Sequence, residues 1–170
     1  YSWSTSEFGS QHIPSLNSEN KTPFIISVAC VNGAFQWTDD ECFAENFVRK
    51  ENGGAIIFLG STINQPWNEP MRGQDYMNDL IIGGYDYSQH SNQNGISTTE
   101  QRTTFGSISF SSFALMLTES PNPADQETVD TWTLFGDPTL QVRTKKAESV
   151  AITSDTVKFA LPFTTTVNSS

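Results

Sequence analysis

Residues 23–35 read PFIISVACVNGAF, and residues 51–59 read ENGGAIIFL. In the first, a continuous β-favouring run, 24–30, ends in Cys30 and enters a turn at Asn32-Gly33. In the second, a similar run, 55–59, opens directly after Gly53-Gly54. Runs that are apolar on both faces belong to central strands of a parallel sheet. Between them, Thr38-Asp-Asp-Glu41 has the pattern of a capping box, in which the Thr oxygen accepts from the N3 amide and Glu41 reaches back. Cys42, Phe43, Asn46 and Phe47 then mark one face of a helix predicted to run to about Lys50. Asn52-Gly53-Gly54 ends it. Strand, helix and strand with short connections make a βαβ unit, which crosses over right-handed and sets its strands parallel. The chain is therefore predicted to be α/β.

Outward from this unit, the loop STINQPWNEP (61–70) follows the second strand. It opens on the same sheet edge as the turn after Cys30, where ligands bind in open α/β sheets. A helix is predicted over 70–82, with Pro70 at its first position. Residues 83–104 are rich in Gly, Ser, Asn and Gln and read as loop. Phe110, Phe113, Ala114 and Leu117 stripe a helix over 105–118. Residues 125–135 read as helical or partly so, 136–138 as a turn and 139–143 as a strand. After Lys146 two alternating segments, 149–153 and 156–161, read as strands of a β-sandwich. The expected division is a catalytic-type domain over 1–144, followed by a linker and the first strands of an all-β, Ig-like domain over 145–170.

The formal charge is −10. Nine basic residues form no patch larger than Lys145-Lys146 with Arg143 nearby, which argues against a nucleic-acid partner. No apolar run reaches membrane-spanning length. Charged residues are only 16%, and the surface is rich in Ser, Thr, Asn and Gln, the character of a secreted bacterial protein. Tyr1-Ser-Trp-Ser lacks the charged and apolar regions of a signal peptide, so the chain is expected to be a part of something longer. Two cysteines are too few for a disulfide framework. His12 and His90 stand apart, and no Cys/His group has zinc spacing.

Cys30 has three readings. It is a buried structural thiol, one half of a disulfide with Cys42, or a nucleophile presented where a strand enters a turn. In the last case its amide points into an oxyanion hole, and the thiol needs a partner, usually His, to ionise near neutral pH.

The ordered pieces SVACVNGAF, Cys42-Phe-Ala-Glu45, the strand into Ser61, Trp67, Pro70-Met-Arg-Gly-Gln-Asp75 and Phe135-Gly-Asp-Pro138 resemble the gingipain-type cysteine peptidases, a caspase-like family. The resemblance covers about residues 1–144. It implies an α/β sandwich with a largely parallel central sheet, and it implies that Cys30 is the nucleophile. The family's base is a His in a His-Gly-Ser-x-x-x-Trp segment upstream of the cysteine. Trp3 fits that tryptophan, which places the His, and the Gly that completes the oxyanion hole, before Tyr1. His12 and His90 read as loop histidines rather than substitutes.

The resemblance also implies that Asn64 and Trp67 line the pocket for the P1 side chain, the substrate residue just before the scissile bond. Lys-specific members carry an acid three positions past the tryptophan. Here Pro70 stands there with Glu69 beside it, so a basic P1 group would rely on Glu69 or Asp75. Trp132 is expected in the core and Asp137 at a turn. Catalysis needs no cofactor. Calcium is the expected structural ion, with Asp39, Asp40, Glu41 and Asp86 as oxygen donors; an acidic helix start is the competing reading of that cluster. The expected partners are a polypeptide substrate and the upstream part of the same precursor as a companion chain. The expected location is extracellular or on the cell surface. A catalytically degenerate module with a structural or binding role is the alternative to the peptidase, and a cell-surface sortase of the related secretion machinery is a third.

Overall fold

The computed structural model describes residues 2–19, 21–37, 40–83, 102–119, 121–143, 150–154 and 165–169, the last two segments by their backbone. Strand β4 (Ile57–Ser61) is the middle of a three-stranded sheet of order β3-β4-β5, with β3 spanning Phe24–Ile26 and β5 spanning Trp132–Gly136. β3 pairs with β4 in parallel, Ile25 opposite Phe58. β5 pairs with it antiparallel, Leu134 opposite Leu59. Every residue of β4 is buried. Successive side chains of a strand point to opposite faces, and that alternation divides the core in two.

On one face, Ile57 and Leu59 pack with Met77 and Leu80 of helix α2 (Asn68–Ile82), with Phe105, Ile108 and Leu115 of helix α3 (Phe105–Thr118), and with Trp132. On the other, Phe58 packs with Phe43, Ala44 and Phe47 of helix α1 (Phe43–Arg49), with Cys42, and with Ile13 from a short 3-10 segment. The N-terminal hairpin, β1 (Ser2–Trp3) with β2 (Phe8–Gly9), covers this second face. Trp3 is its anchor. The indole meets Phe43 edge-on at 5.1 Å and Phe58 nearly parallel at 6.3 Å between ring centres.

The predicted βαβ unit is present with its parallel strands, and three of its details differ. The first strand leaves the ladder after Ile26, because residues 27–34 bend toward the loop beyond β4. The helix begins at Phe43 instead of Thr38. Cys42 is the cap, its amide donating to Glu45 Oε2 at 2.8 Å, so Cys42–Glu45 forms the capping box. Thr38 and Asp39 lie outside the described residues. Pro70 sits at the third position of α2, still within the first turn, whose amides have no helical partner in any case.

The segment read as helix over 125–135 divides. Helix α4 (Pro123–Thr131) is capped by Asn122 Oδ1 and gives way to β5, where Trp132 turns into the core. In place of a strand over 139–143, a single bridge joins Gln141 to Thr104. β6 (Val150–Ser154) and β7 (Thr165–Ser169) pair antiparallel; the second predicted strand, 156–161, falls outside the described residues. Most of the 83–104 loop, with His90 and Asp86, lies outside them too. Among the described residues no helix is long and apolar enough to cross a membrane.

Candidate active site

Cys30 stands at the carboxyl end of the β3 segment, exposed and unpaired with Cys42, which is buried. The turn that presents it is strained. Val31 has φ 51°, a left-handed conformation that a β-branched residue adopts only under constraint, at a cost of about 1–3 kcal/mol. The constraints are visible. Val31 N–H donates to Ile63 O at 2.9 Å, Gly33 N–H donates to Ser61 O at 2.8 Å, and Asn32 O accepts from Ala44 N–H at 2.9 Å. The turn is thus tied to the loop after β4 and to the start of α1.

Glycine is required at position 33. A Cβ there would lie 2.6 Å from Gly60 O and 2.9 Å from the Phe135 ring. The turn therefore presses against the β4 backbone where both partners are glycines. The Cys30 amide has no acceptor among the described residues.

The turn and the 61–67 loop enclose a cleft of about 260 Å³. Its walls are Val28, Ala29 and Cys30 on one side and Gln65, Pro66, Trp67, Pro70 and Met71 on the other. Cys30 Sγ lies 3.9 Å from Gln65 O. Trp67 is the residue before α2 and is 80% exposed. An indole this exposed contributes little to the core and stands as a wall of the cleft. Gln65 was not singled out in the sequence. Both polar atoms of its side chain are buried with no partner among the described residues, and buried polar groups are otherwise nearly always paired. Its place beside Trp67 in Asn64-Gln-Pro-Trp67 was the available signal. Val28, Ala29, Pro66 and Met71 are further wall residues the sequence reading did not single out.

The remaining candidates are distributed differently. Asn64 is exposed and lies outside the cleft walls. Glu69 Oε1 accepts from Asn122 Nδ2 at 3.0 Å, so its carboxylate is turned to the start of α4. Asp75 is exposed further along α2. No carboxylate therefore lines the cleft among the described residues. His12 is exposed and accepts from Gly9 N–H on Nδ1 at 2.9 Å, a local bond in the N-terminal segment. Asp137 holds the turn it was expected to hold: its carboxylate accepts from Thr139 N–H and Oγ1, and those bonds lower its pKa. Glu41 pairs with Arg49 at 2.9 Å. Asp39 and Asp86 lie outside the described residues, and no group of three His, Cys, Asp or Glu stands among those described.

A larger groove, about 650 Å³, runs along Trp3, Phe8, Leu16, Ile25 and Phe47 beside the outer edge of β3. Its lining includes Ser18, Lys21 and Thr22 but no cysteine, histidine or carboxylate.

Comparison with known proteins shows the family and the fold. Gingipain R2 of Porphyromonas gingivalis is 37% identical over 156 residues, which is 89% of this chain and 19% of that protein. The crystal structure of the Arg-specific cysteine proteinase gingipain R (RgpB) superposes with a TM-score of 0.74 at 35% identity, over 91% of this chain and 33% of that one. A complex of the Porphyromonas gingivalis RgpB pro- and mature domains gives a TM-score of 0.73 at 36% identity, over 91% of this chain and 34% of that one. The chain thus has the caspase-like α/β fold over a region equal to about a third of those solved chains. The sequence description of peptidase family C25 matches residues 1–143, and the chain belongs to that family.

Proposed function

We propose that the full-length protein is a secreted cysteine endopeptidase in which Cys30 is the nucleophile. The observation that carries this is the placement of an exposed thiol on a strained turn that forms one wall of a cleft. The Cys30 thiolate attacks the scissile carbonyl, the free Cys30 amide helps hold the oxyanion, and the acyl group passes to sulfur as a thioester. A His upstream of Tyr1 takes the thiol proton and returns it to the leaving amine. Water then releases the acyl group.

Trp67, Val28 and Met71 provide apolar walls for a long P1 stem. The unpaired amide of Gln65 provides a polar contact for its tip. A positively charged tip also gains from an indole face, a property shared with the Arg-specific relative. A carboxylate for such a tip would have to come from outside the described walls. The outer edge of β3 has no partner strand among the described residues, and the apolar groove beside it suits the upstream part of the precursor. That surface is the proposed seat of a companion segment.

Two experiments test the reading. Cys30→Ala in the full-length protein is expected to abolish peptide hydrolysis while leaving the thermal midpoint within a degree or two; retained hydrolysis overturns the nucleophile. The fourth and third residues before Tyr1 are expected to be His and Gly. Another residue in place of the His favours a degenerate module with a structural role.

A further inference from the structure

Ser27 lies three residues before Cys30 and is 2% exposed. Four hydrogen bonds meet on it, each from a different part of the chain. Its N–H donates to Leu59 O of β4 at 2.9 Å. Its carbonyl accepts from the Trp132 indole of β5 at 3.3 Å. Its hydroxyl oxygen accepts from Trp3 Nε1 of the N-terminal hairpin at 3.0 Å and from Asn32 Nδ2 of the nucleophile turn at 3.1 Å. Two donors fill both lone pairs of a hydroxyl oxygen.

Asn32 is fully buried, and its Oδ1 has no partner among the described residues. The bond to Ser27 is thus the tie that orients this side chain. Asn32 directly follows left-handed Val31, and Val31 directly follows Cys30. Strain of this kind persists only where the surroundings over-determine the backbone. Ser27 supplies that determination from beneath the turn, while Ile63 and Ser61 supply it from the side.

We infer that Ser27 is a positioning residue for the Cys30 nucleophile: its hydroxyl fixes Asn32, holds Val31 in its strained conformation, and so aims the Cys30 thiol and amide. Trp3 binds the same oxygen, so the N-terminal segment and the nucleophile turn share one anchor atom. The inference rests on reading Cys30 as the nucleophile. It concerns orientation; Ser27 itself is buried and touches no substrate.

The test uses the full-length protein with Ser27→Ala, Trp3→Phe and a control, Ser109→Ala. Ser109 is a buried serine of α3 whose hydroxyl donates to Phe105 O, outside the turn and the cleft. Values of kcat and KM on a peptide amide are measured beside the rate of iodoacetamide alkylation at Cys30 and the thermal midpoint. Because small displacements of a reacting group cost up to about 100-fold, Ser27→Ala is expected to lose about 10-fold or more in kcat. KM should stay within about twofold, and the exposed thiol should still alkylate.

Trp3→Phe keeps an aromatic ring at the position and removes the indole N–H together with the second ring, so its thermal midpoint is read beside kcat. It is expected to lower kcat in the same direction and to be non-additive with Ser27→Ala; it also serves if Ser27→Ala fails to fold. Unchanged kcat in both variants, or a loss no larger than that of Ser109→Ala at equal stability, overturns the inference alone. A wild-type protein that cleaves no peptide and leaves Cys30 unlabelled by peptide-like electrophiles overturns the peptidase reading itself, and the inference with it.

Discussion

Val31, the residue after Cys30, donates its backbone N–H to Ile63 O at 2.9 Å. That one bond laces the turn bearing Cys30 to the loop bearing Gln65 and Trp67, so the two walls of the cleft are fixed to each other through the backbone. The sheet places both at its carboxyl edge, and the hydrogen bond sets their separation.

Trp67→Ala removes a wall with almost no core to lose. With the side chain 80% exposed, stability is expected to change by no more than about 0.5 kcal/mol. The value of kcat/KM should fall about 10-fold or more, carried mainly by KM, as expected when binding common to ground and transition states is lost. Unfolding curves and steady-state kinetics on one preparation check both parts.

Gly33→Ala acts in the opposite way, on the turn and not on the substrate. The added Cβ meets Gly60 O and Phe135, neither of which is the free end of a flexible side chain. Overpacking of this kind costs about 1–3 kcal/mol. The thermal midpoint should drop, and kcat should drop with it as the turn shifts.

Arg72 of α2 pairs with Asp125 of α4, whose carboxylate is fully buried and also accepts from Asn122 N–H. Removing the cation leaves that charge alone, and a broken buried pair costs about 3–5 kcal/mol. Arg72 is one-third exposed, so Arg72→Ala is expected near the lower end. Adding Asp125→Asn to Arg72→Ala should recover part of the loss, because the stranded charge is then gone. Chemical denaturation of the two single variants and the double variant closes the cycle.

Burial raises Cys42 from 9.0 to about 11. Between those values the thiol is neutral in the fold and ionised in the unfolded chain, so the unfolded state binds fewer protons and stability falls as pH rises. The contribution is intact below pH 9.0 and lost progressively toward pH 11. At about 1.4 kcal/mol per pH unit, it amounts to about 3 kcal/mol. Cys42→Ser puts a hydroxyl oxygen at the N-cap in place of the sulfur and removes the titration. The stability difference between wild type and variant should therefore change by that amount across the interval and stay constant below it.

What the sequence disclosed follows from how strongly each signal was determined. Ala55–Leu59 is an unbroken apolar run and Phe24–Cys30 is interrupted only by Ser27, so the parallel pair was legible. The start of α1 was not, because two overlapping capping boxes compete, Thr38 with Glu41 and Cys42 with Glu45. Burial of Cys42 and Phe43 against Phe58 decided for the second. Trp132-Thr-Leu-Phe135 was read as continuing a helix, since four residues do not separate the two periods; pairing with β4 decided.

The strand end and the resemblance pointed to Cys30 and Trp67, and the structure brings both to the walls of one cleft. Gln65 and Ser27 were passed over because a lone polar residue in a sequence carries no sign of what it will be left without, or what it will hold. Glu69 was assigned to the cleft by proximity in sequence, while its helix turns it toward Asn122.

The central claim is that Cys30 performs the chemistry. Its most direct test is peptide mapping by mass spectrometry after the full-length protein is treated with a panel of peptidyl acyloxymethyl ketones differing in P1. The account predicts a thioether adduct on the peptide carrying Cys30 with at least one long-chain P1 probe, and none on Cys42. An unchanged mass at Cys30 across the whole panel would contradict it.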